Sequence, residues 1–199
     1  MSKKTIKIAI TGGVGSGKSQ VLSYLKGLGY PVFSCDEINA ALFSEREYVR
    51  RIRALFPDVV KNEKIDKRAL SEKVFSSESD RKTLEGLAHP LILQKLTANM
   101  DACEGVCFAE VPLLFEANLQ KHFQKVIVVM RKKEARLSAV AVRDACDESV
   151  VLQKMSAQFP YDEVFGNGAC LSPNIHLIFN DGSFEFLHKQ MDDFLKTLM

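Results

Sequence analysis

Ile-Lys-Ile-Ala-Ile-Thr-Gly-Gly-Val-Gly-Ser-Gly-Lys-Ser, at residues 6–19, is the stretch that decides the fold. Its first five residues form a short, mainly apolar run, which predicts a strand. The last eight match the pattern G-x-x-x-x-G-K-[ST], and a helical pattern follows directly. In such a unit, glycines let backbone N–H groups surround phosphate oxygens, and the helix N-terminus adds partial positive charge. The stretch therefore predicts a nucleoside triphosphate site; a glycine-rich turn without a ligand is the minor alternative.

The loop positions have separate expected roles. Lys18 brings a point charge to the β- and γ-phosphates, and the Ser19 hydroxyl is the expected ligand of Mg²⁺. The predicted nucleotide-binding residues are Gly12, Gly13, Val14, Gly15, Ser16, Gly17, Lys18, Ser19 and Gln20.

Composition excludes several classes of protein. With 199 residues, 46% hydrophobic and 26% charged, the chain predicts one globular domain over residues 1–199. A net charge of +2 argues against a dedicated nucleic-acid binder. No apolar run approaches the ~20 residues of a membrane helix, and residues 1–4 lead into a strand rather than a signal peptide. We expect a cytoplasmic protein with no membrane, nucleic-acid or obligate protein partner.

The cysteines support the same compartment. They are five in number, scattered, and without a CxxC pair, which predicts reduced, buried thiols. They are Cys35, Cys103, Cys107, Cys146 and Cys170.

Apolar runs recur between longer helical patterns. Such short runs are typical of strands buried in a parallel sheet, so the fold class is α/β. We expect a P-loop NTPase fold similar to the nucleoside-monophosphate kinases, with about five parallel strands flanked by helices. Two intervals are too long for simple crossovers: about 37–105, predicted to be a helical acceptor-substrate insertion, and about 132–165, predicted to be a helical lid. The runs lie at residues 6–10, 31–33, 106–109, 126–130 and 175–179.

Nucleotide binding alone does not define the reaction. The segment Asn180-Asp-Gly182 lacks the lysine and aspartate of a guanine-reading motif, and motor ATPases need a longer chain. A small kinase fits the layout. Its acceptor hydroxyl needs a carboxylate, and Asp36 follows the second run at the sheet edge where ligands bind. The alternative is that Asp36 only caps the following helix.

Separated segments of this chain, in order, resemble those of the dephospho-coenzyme A kinases. These enzymes transfer the γ-phosphate of ATP to the ribose 3′-hydroxyl of dephospho-coenzyme A, the last step of coenzyme A synthesis. The resemblance implies that activity, with ATP and dephospho-coenzyme A as partners and Mg²⁺ as cofactor. The segments are Thr11-Gly-Gly-Val-Gly-Ser-Gly-Lys-Ser19, Val32-Phe-Ser-Cys-Asp36, Arg68-x-Leu70 with Val74-Phe75, His89-Pro-Leu-Ile92, Val111-Pro-Leu-Leu-Phe-Glu116, Arg143-Asp144 with Gln158, and Asn180-Asp-Gly182.

The resemblance also assigns acceptor-side residues. Asp36 matches the second aspartate of an Asp-x-Asp motif and is the implied catalytic base, whereas Ser34 replaces the first aspartate. Arg68 is the candidate for a phosphate contact, or else part of a solvated charged face. His89 is either an acceptor contact or a buried residue that fixes a helix start. Glu116 belongs to the substrate-side loop.

The end of the third run carries another carboxylate. Glu110 is either a residue that holds a water on Mg²⁺ or an exposed strand end, and the residues leave both interpretations open.

The predicted lid departs from the family pattern. Arg143 matches the family's lid arginine and, with Lys18 and Asp36, completes the predicted catalytic set. A second arginine is replaced by Ala139, and a lysine or arginine is replaced by Val164. Arg136 is the candidate substitute, with Arg131 and Lys132 as further cations; Gln20 replaces a threonine.

These departures predict a slower enzyme or a rearranged lid. Two alternatives stay open: a kinase for another small acceptor or nucleotide and, because of Ser34, Ala139 and Val164, a nucleotide-binding protein with reduced catalysis.

Overall fold

The computed structural model describes residues 5–168 and 172–198. Residues 1–4 and Cys170, used in the sequence predictions, lie outside them. Within the described part the strands are β1 (Ile6–Thr11), β2 (Val32–Ser34), β3 (Val60–Lys61), β4 (Lys64–Ile65), β5 (Val106–Glu110), β6 (Lys125–Met130) and β7 (Ile175–Phe179). The helices are α1 (Lys18–Gly27), α2 (Cys35–Leu42), α3 (Arg46–Leu55), α4 (Lys67–Ser76), α5 (Glu78–Asp101), α6 (Lys133–Asp144), α7 (Glu148–Ser156), α8 (Tyr161–Phe165) and α9 (Phe184–Lys196).

A five-stranded parallel sheet with flanking helices carries the fold, in the order β2-β5-β1-β6-β7. The central strand β1 pairs in parallel with β5 on one side and β6 on the other. Ile8 and Ile10 on β1 have no exposed surface because both faces of the sheet are covered. The five apolar runs and the predicted fold class are confirmed.

The chain forms two compact units. The first combines residues 5–33 and 100–198 of the described part, and the second is Ser34–Asn99. The core of the first unit packs sheet residues against α1 and α9, and includes Ile8, Ile10, Leu25, Phe108, Ile127, Met191 and Phe194. The core of the second unit includes Leu42, Tyr48, Ile52, Phe56, Val59 and Leu70.

The second unit contains a hairpin that the sequence did not predict. Strands β3 and β4 pair in antiparallel fashion across Asn62 and Glu63, whose φ angles are 47° and 59°. Two successive positive φ angles are the mark of a type I′ turn, for which Asn-Gly is the usual signal. Because Asn-Glu lacks that signal, the interval was predicted as helices only.

Helix α5 runs for 24 residues through Pro90. The expectation that His89 marks a helix start is therefore wrong. Pro90 cannot donate the usual bond to a carbonyl four residues earlier, which normally disfavours a helix interior. Flanking Leu87 and Leu91 pack against the core of this unit, and we attribute the uninterrupted helix to that packing.

Two segments of this unit, Ser44-Glu-Arg-Glu47 and Ser77-Glu-Ser-Asp80, match the capping-box pattern of a helix start, and the structure follows only the second. The Ser77 hydroxyl accepts a bond of 3.2 Å from the backbone N–H of Asp80. Ser44 does not cap α3, which begins at Arg46 after Glu45 without a side-chain cap.

The burial of the cysteines differs partly from the expectation. The four in the described residues are thiols rather than disulfides, but only Cys107 is buried; Cys35, Cys103 and Cys146 are half-buried. Burial raises the pKa of Cys107 to about 12. Among the described helices, none has both the length and the apolar character needed to cross a bilayer.

Candidate active site

The phosphate loop leaves β1 and enters α1 at Lys18. Gly17, the residue before α1, has a φ of 92°, which a residue with a side chain rarely adopts. The N–H of Ser16 donates to the carbonyl of Gly13 at 3.1 Å, and the N–H of Gln20 donates to Gly17 at 3.0 Å. The loop is therefore a compact turn that leads directly to the positive end of a helix.

Lys18 lies over this loop. Its Nζ donates to the carbonyl oxygens of Gly12 at 2.8 Å and Gly13 at 3.3 Å. The ammonium group is thus held at the loop, where it can meet a phosphate as a compact point charge.

The loop is fastened by the residue that follows β7. The side-chain amide of Asn180 donates to Gln20 Oε1 at 3.0 Å as well as to the loop backbone. Asp181 accepts a bond of 2.7 Å from the backbone N–H of Lys132, at the start of the helices after β6. Gln20, which replaces a threonine of the family pattern, therefore has Asn180 as its side-chain partner. The shorter side chain of a threonine would reach less far towards Asn180.

Residues of the predicted lid, and Arg131 just before it, contact the loop and the end of β1. Gln158 Oε1 accepts a bond of 2.8 Å from the backbone N–H of Val14. The hydroxyls of Tyr161 and Thr11 lie 2.9 Å apart in a buried hydrogen bond. Burial raises the pKa of Tyr161 to about 12, so it remains a neutral hydroxyl at ordinary pH. Arg131 Nη1 donates to the carbonyl of Gly15 at 3.3 Å.

Arg136 and Arg143 occupy different environments on α6. Arg136 is 5% exposed and forms an ion pair with Asp162, at the start of α8. Arg143 is exposed and pairs with its neighbour Asp144, whose carboxylate also accepts a bond from Lys154. These two cations hold the pKa of Asp144 well below its usual range. Of the two predicted lid arginines, Arg136 is the one in contact with the loop.

Two predicted carboxylates, Glu116 and Glu110, lie in the first unit, which also contains the phosphate loop. Glu116 Oε1 accepts a bond of 2.8 Å from the backbone N–H of Phe159, just before α8. Phe115 stacks on Phe159 with ring centroids 4.6 Å apart. Glu110 ends β5 and is the register partner of Ile10, directly before the phosphate loop.

The remaining predicted residues belong to the second unit. Asp36 is exposed in the first turn of α2, where the cap is Ser34, whose hydroxyl accepts from the N–H of Glu37. The interpretation of Asp36 as the helix cap is therefore wrong. Arg68 pairs with Glu72 at 2.8 Å on an exposed surface of α4, and His89 is half-buried within α5.

Sequence reasoning missed the roles of Tyr161 and Asp162. Tyr161 lies 150 positions from its partner Thr11, and no local pattern links the two. Asn180 and Gln158 belong to segments that resemble the family, so the sequence did single them out. Their contacts with the loop did not follow from the sequence.

The chain has a parallel sheet, a glycine-rich phosphate loop after the central strand, and helices in contact with that loop. These features define a P-loop kinase. The family model CoaE, dephospho-CoA kinase, matches residues 6–169. The chain therefore belongs to the dephospho-CoA kinase family.

Individual relatives agree with this assignment. The chain is 34% identical over 163 residues to a dephospho-CoA kinase of Thermus thermophilus, covering 81% of this chain and 79% of the relative. It is 31% identical to that of Geobacillus kaustophilus, covering 96% of each. The crystal structure of TT1252 from Thermus thermophilus matches with a TM-score of 0.83 and 32% identity, over 99% of this chain and 100% of that one.

Proposed function

We propose that this chain transfers the γ-phosphate of ATP to the ribose 3′-hydroxyl of dephospho-coenzyme A and so produces coenzyme A. The observation that carries the proposal is the phosphate loop with Lys18 bound over it, in a member of the dephospho-CoA kinase family. Phosphoryl transfer depends mainly on positioning and on charge stabilisation, which such a loop supplies.

The nucleotide end of the reaction uses the first unit. Backbone N–H groups of the loop and the N-terminus of α1 bind the phosphates, and Lys18 moves its ammonium group from loop carbonyls to phosphate oxygens. Helices α6–α8 act as the lid, over about residues 132–165, and exclude water from the phosphates.

Mg²⁺ is the proposed cofactor, and the residues present fit it. Ser19 follows Lys18 on α1, is exposed, and offers the hydroxyl oxygen that this hard cation prefers. Glu110 at the end of β5 is a second oxygen donor, suited to a bound water. Within the described residues no group of three or more His, Cys, Asp or Glu side chains forms a metal site. This agrees with a cation held mainly by substrate phosphates, where it neutralises charge on the transferring group.

The acceptor end is assigned to the second unit as the acceptor-substrate insertion. Asp36 is the proposed base that accepts the proton of the 3′-hydroxyl. Its carboxylate is exposed and is not the cap of α2, which leaves it available for this role. Arg68 and His89 of this unit are proposed acceptor contacts. Glu116, which belongs to the first unit, is a further proposed acceptor contact, and Arg143 is the proposed cation at the outer part of the lid.

ATP and dephospho-coenzyme A are the partners in this proposal, and the cytoplasm is its compartment. Cys35 and Cys146, which are half-buried and not joined in disulfides, suit a reducing environment.

An ADP-release assay tests the proposal. Purified protein is given ATP and Mg²⁺ with dephospho-coenzyme A, adenosine or AMP, and product is confirmed as coenzyme A by mass. We expect turnover with dephospho-coenzyme A as acceptor and with neither adenosine nor AMP. Lys18→Ala, prepared in the same way, is the control for contaminating kinases. Turnover only with AMP or adenosine would assign another acceptor, and nucleotide binding without any turnover would indicate a protein that has lost catalysis.

A further inference from the structure

The guanidinium of Arg136 is a buried charge in contact with the phosphate loop. Its side chain is 6% exposed, and Nη2 pairs with Asp162 Oδ2. A Cβ atom placed on Gly13 would lie only 2.0 Å from Arg136 Nη1. The guanidinium can therefore lie at this position only because Gly13 has no side chain.

The same helix face continues along the loop. A Cβ on Gly15 would lie 2.9 Å from the carbonyl oxygen of Arg136 and 2.7 Å from Val140 Cγ2. Arg136 and Val140 are four residues apart and share one side of α6. The first half of α6 thus packs directly on the loop, and Arg136 is the charged group it brings there.

The protein only partly satisfies this charge. A guanidinium is always protonated and carries five N–H donors. Asp162, which is 46% exposed, supplies its carboxylate partner, while Arg136 Nε is buried and has no hydrogen-bond partner within the described residues. A buried charge with an unused donor is costly, so a further acceptor is expected. The other buried atom without a partner in that part of the chain is Ser16 Oγ, on the loop itself.

The two other arginines between β6 and the end of α6 are engaged differently. Arg143 directs two nitrogens at Asp144, at 2.7 and 3.2 Å. Arg131 contacts the carbonyl of Gly15. Arg136 alone among these three combines burial, contact with the loop and an unsatisfied donor.

We propose that Arg136 is a catalytic residue that donates hydrogen bonds to the terminal phosphoryl oxygens of the bound nucleotide, and that Asp162 is a positioning residue that aims it. This inference rests on the proposed kinase function. A guanidinium binds two oxygens of a phosphoryl group at once and neutralises charge that spreads over them during transfer. Arg136 keeps its proton throughout, so no bond to it forms or breaks. Asp162 fixes the orientation of the planar group before the nucleotide arrives.

Binding measurements test this contact without any acceptor. Calorimetry compares ATP with ADP, each with Mg²⁺, for the wild type and Arg136→Met. We expect the variant to weaken ATP binding at least about 10-fold while ADP binding changes less than about 3-fold, because ADP lacks the terminal phosphoryl group that Arg136 would contact. Arg136→Lys should restore part of this discrimination. The control is Arg81→Met, which removes an exposed arginine paired with Glu85 and should leave both affinities unchanged.

Kinetics and stability separate a phosphate contact from a structural role. With whichever acceptor the wild type uses, Arg136→Met should lower kcat at least about 100-fold, on the scale of a lost electrostatic donor. Asp162→Asn should lower kcat less, with the fold retained, and provides a second variant if Arg136→Met does not fold. Equal weakening of ATP and ADP, or a lower Tm with kcat unchanged, would overturn the assignment. Failure of dephospho-coenzyme A as acceptor would refute the proposed substrate and leave the ATP-against-ADP comparison intact.

Discussion

The carboxamide nitrogen of Asn180 donates a hydrogen bond to the carbonyl oxygen of Ser16, at 2.9 Å and across 164 positions of sequence. This bond fastens the end of β7 to the middle of the phosphate loop. A loop held in its binding shape before the ligand arrives loses less conformational entropy on binding. Residues outside the Gly-x-x-x-x-Gly-Lys-Ser pattern therefore contribute to nucleotide affinity.

Asn180→Ala should weaken ATP binding about 10-fold, because the loop loses two hydrogen bonds that hold its shape before the nucleotide binds. Calorimetric titration with ATP and Mg²⁺ measures the effect. Gln20→Ala, which removes only one of the partners of Asn180, should cause a smaller loss. Equal affinities in all three proteins would show that the loop keeps its shape without this fastening.

Gly13→Ala should lower kcat/KM for ATP at least about 10-fold, a scale typical of a disturbed electrostatic site. The added Cβ would overlap Arg136 Nη1, so either the loop or the guanidinium must move. Gly86→Ala is the matched control: nothing lies within 4 Å of its Cβ position in the helix. The control should raise stability by about 0.5–1 kcal/mol, since alanine suits a helix interior better than glycine. A Gly13→Ala enzyme with normal kinetics would contradict this prediction.

Asp36→Asn should lower kcat roughly 100-fold or more while ATP affinity and Tm stay close to those of the wild type, as for a general base. Ser34→Ala provides the contrast because Ser34 caps α2. That substitution should cost about 1 kcal/mol of stability through loss of the cap. Steady-state kinetics and thermal unfolding of the pair distinguish the two roles. A variant at position 36 that turns over normally would remove Asp36 from the mechanism.

The pH dependence of stability should report the burial of Tyr161. Its pKa is about 12 in the folded chain against an ordinary value of 10.0. The folded protein therefore keeps a proton that the unfolded chain loses, and stability falls as pH rises from about 10 to about 12. Urea unfolding at pH 9, 10 and 11 measures this slope. Tyr161→Phe cannot ionise, so its slope should be shallower; identical slopes would mean that Tyr161 is not buried as the structure has it.

Local sequence patterns were sufficient to predict the sheet and the phosphate loop. The alternation of apolar runs with helical segments depends on neighbours in sequence, and so does the spacing of glycines before Lys18 and Ser19. The hairpin across Asn62 and Glu63 was missed because that turn lacks the usual glycine. The uninterrupted helix through Pro90 was missed because packing outweighed a local helix breaker.

The sequence by itself determined the α/β class, the nucleotide loop and, through its separated segments, the kinase family. The tertiary structure decided which side chains meet at that loop. Tyr161 reaches Thr11, Gln158 reaches Val14, and Arg136 rather than Arg143 lies against Gly13. These pairs are more than 100 positions apart in the chain, so no local spacing encodes them. They form because the parallel sheet brings distant strand ends to one edge, where packing and the need to pair buried polar groups select the partners.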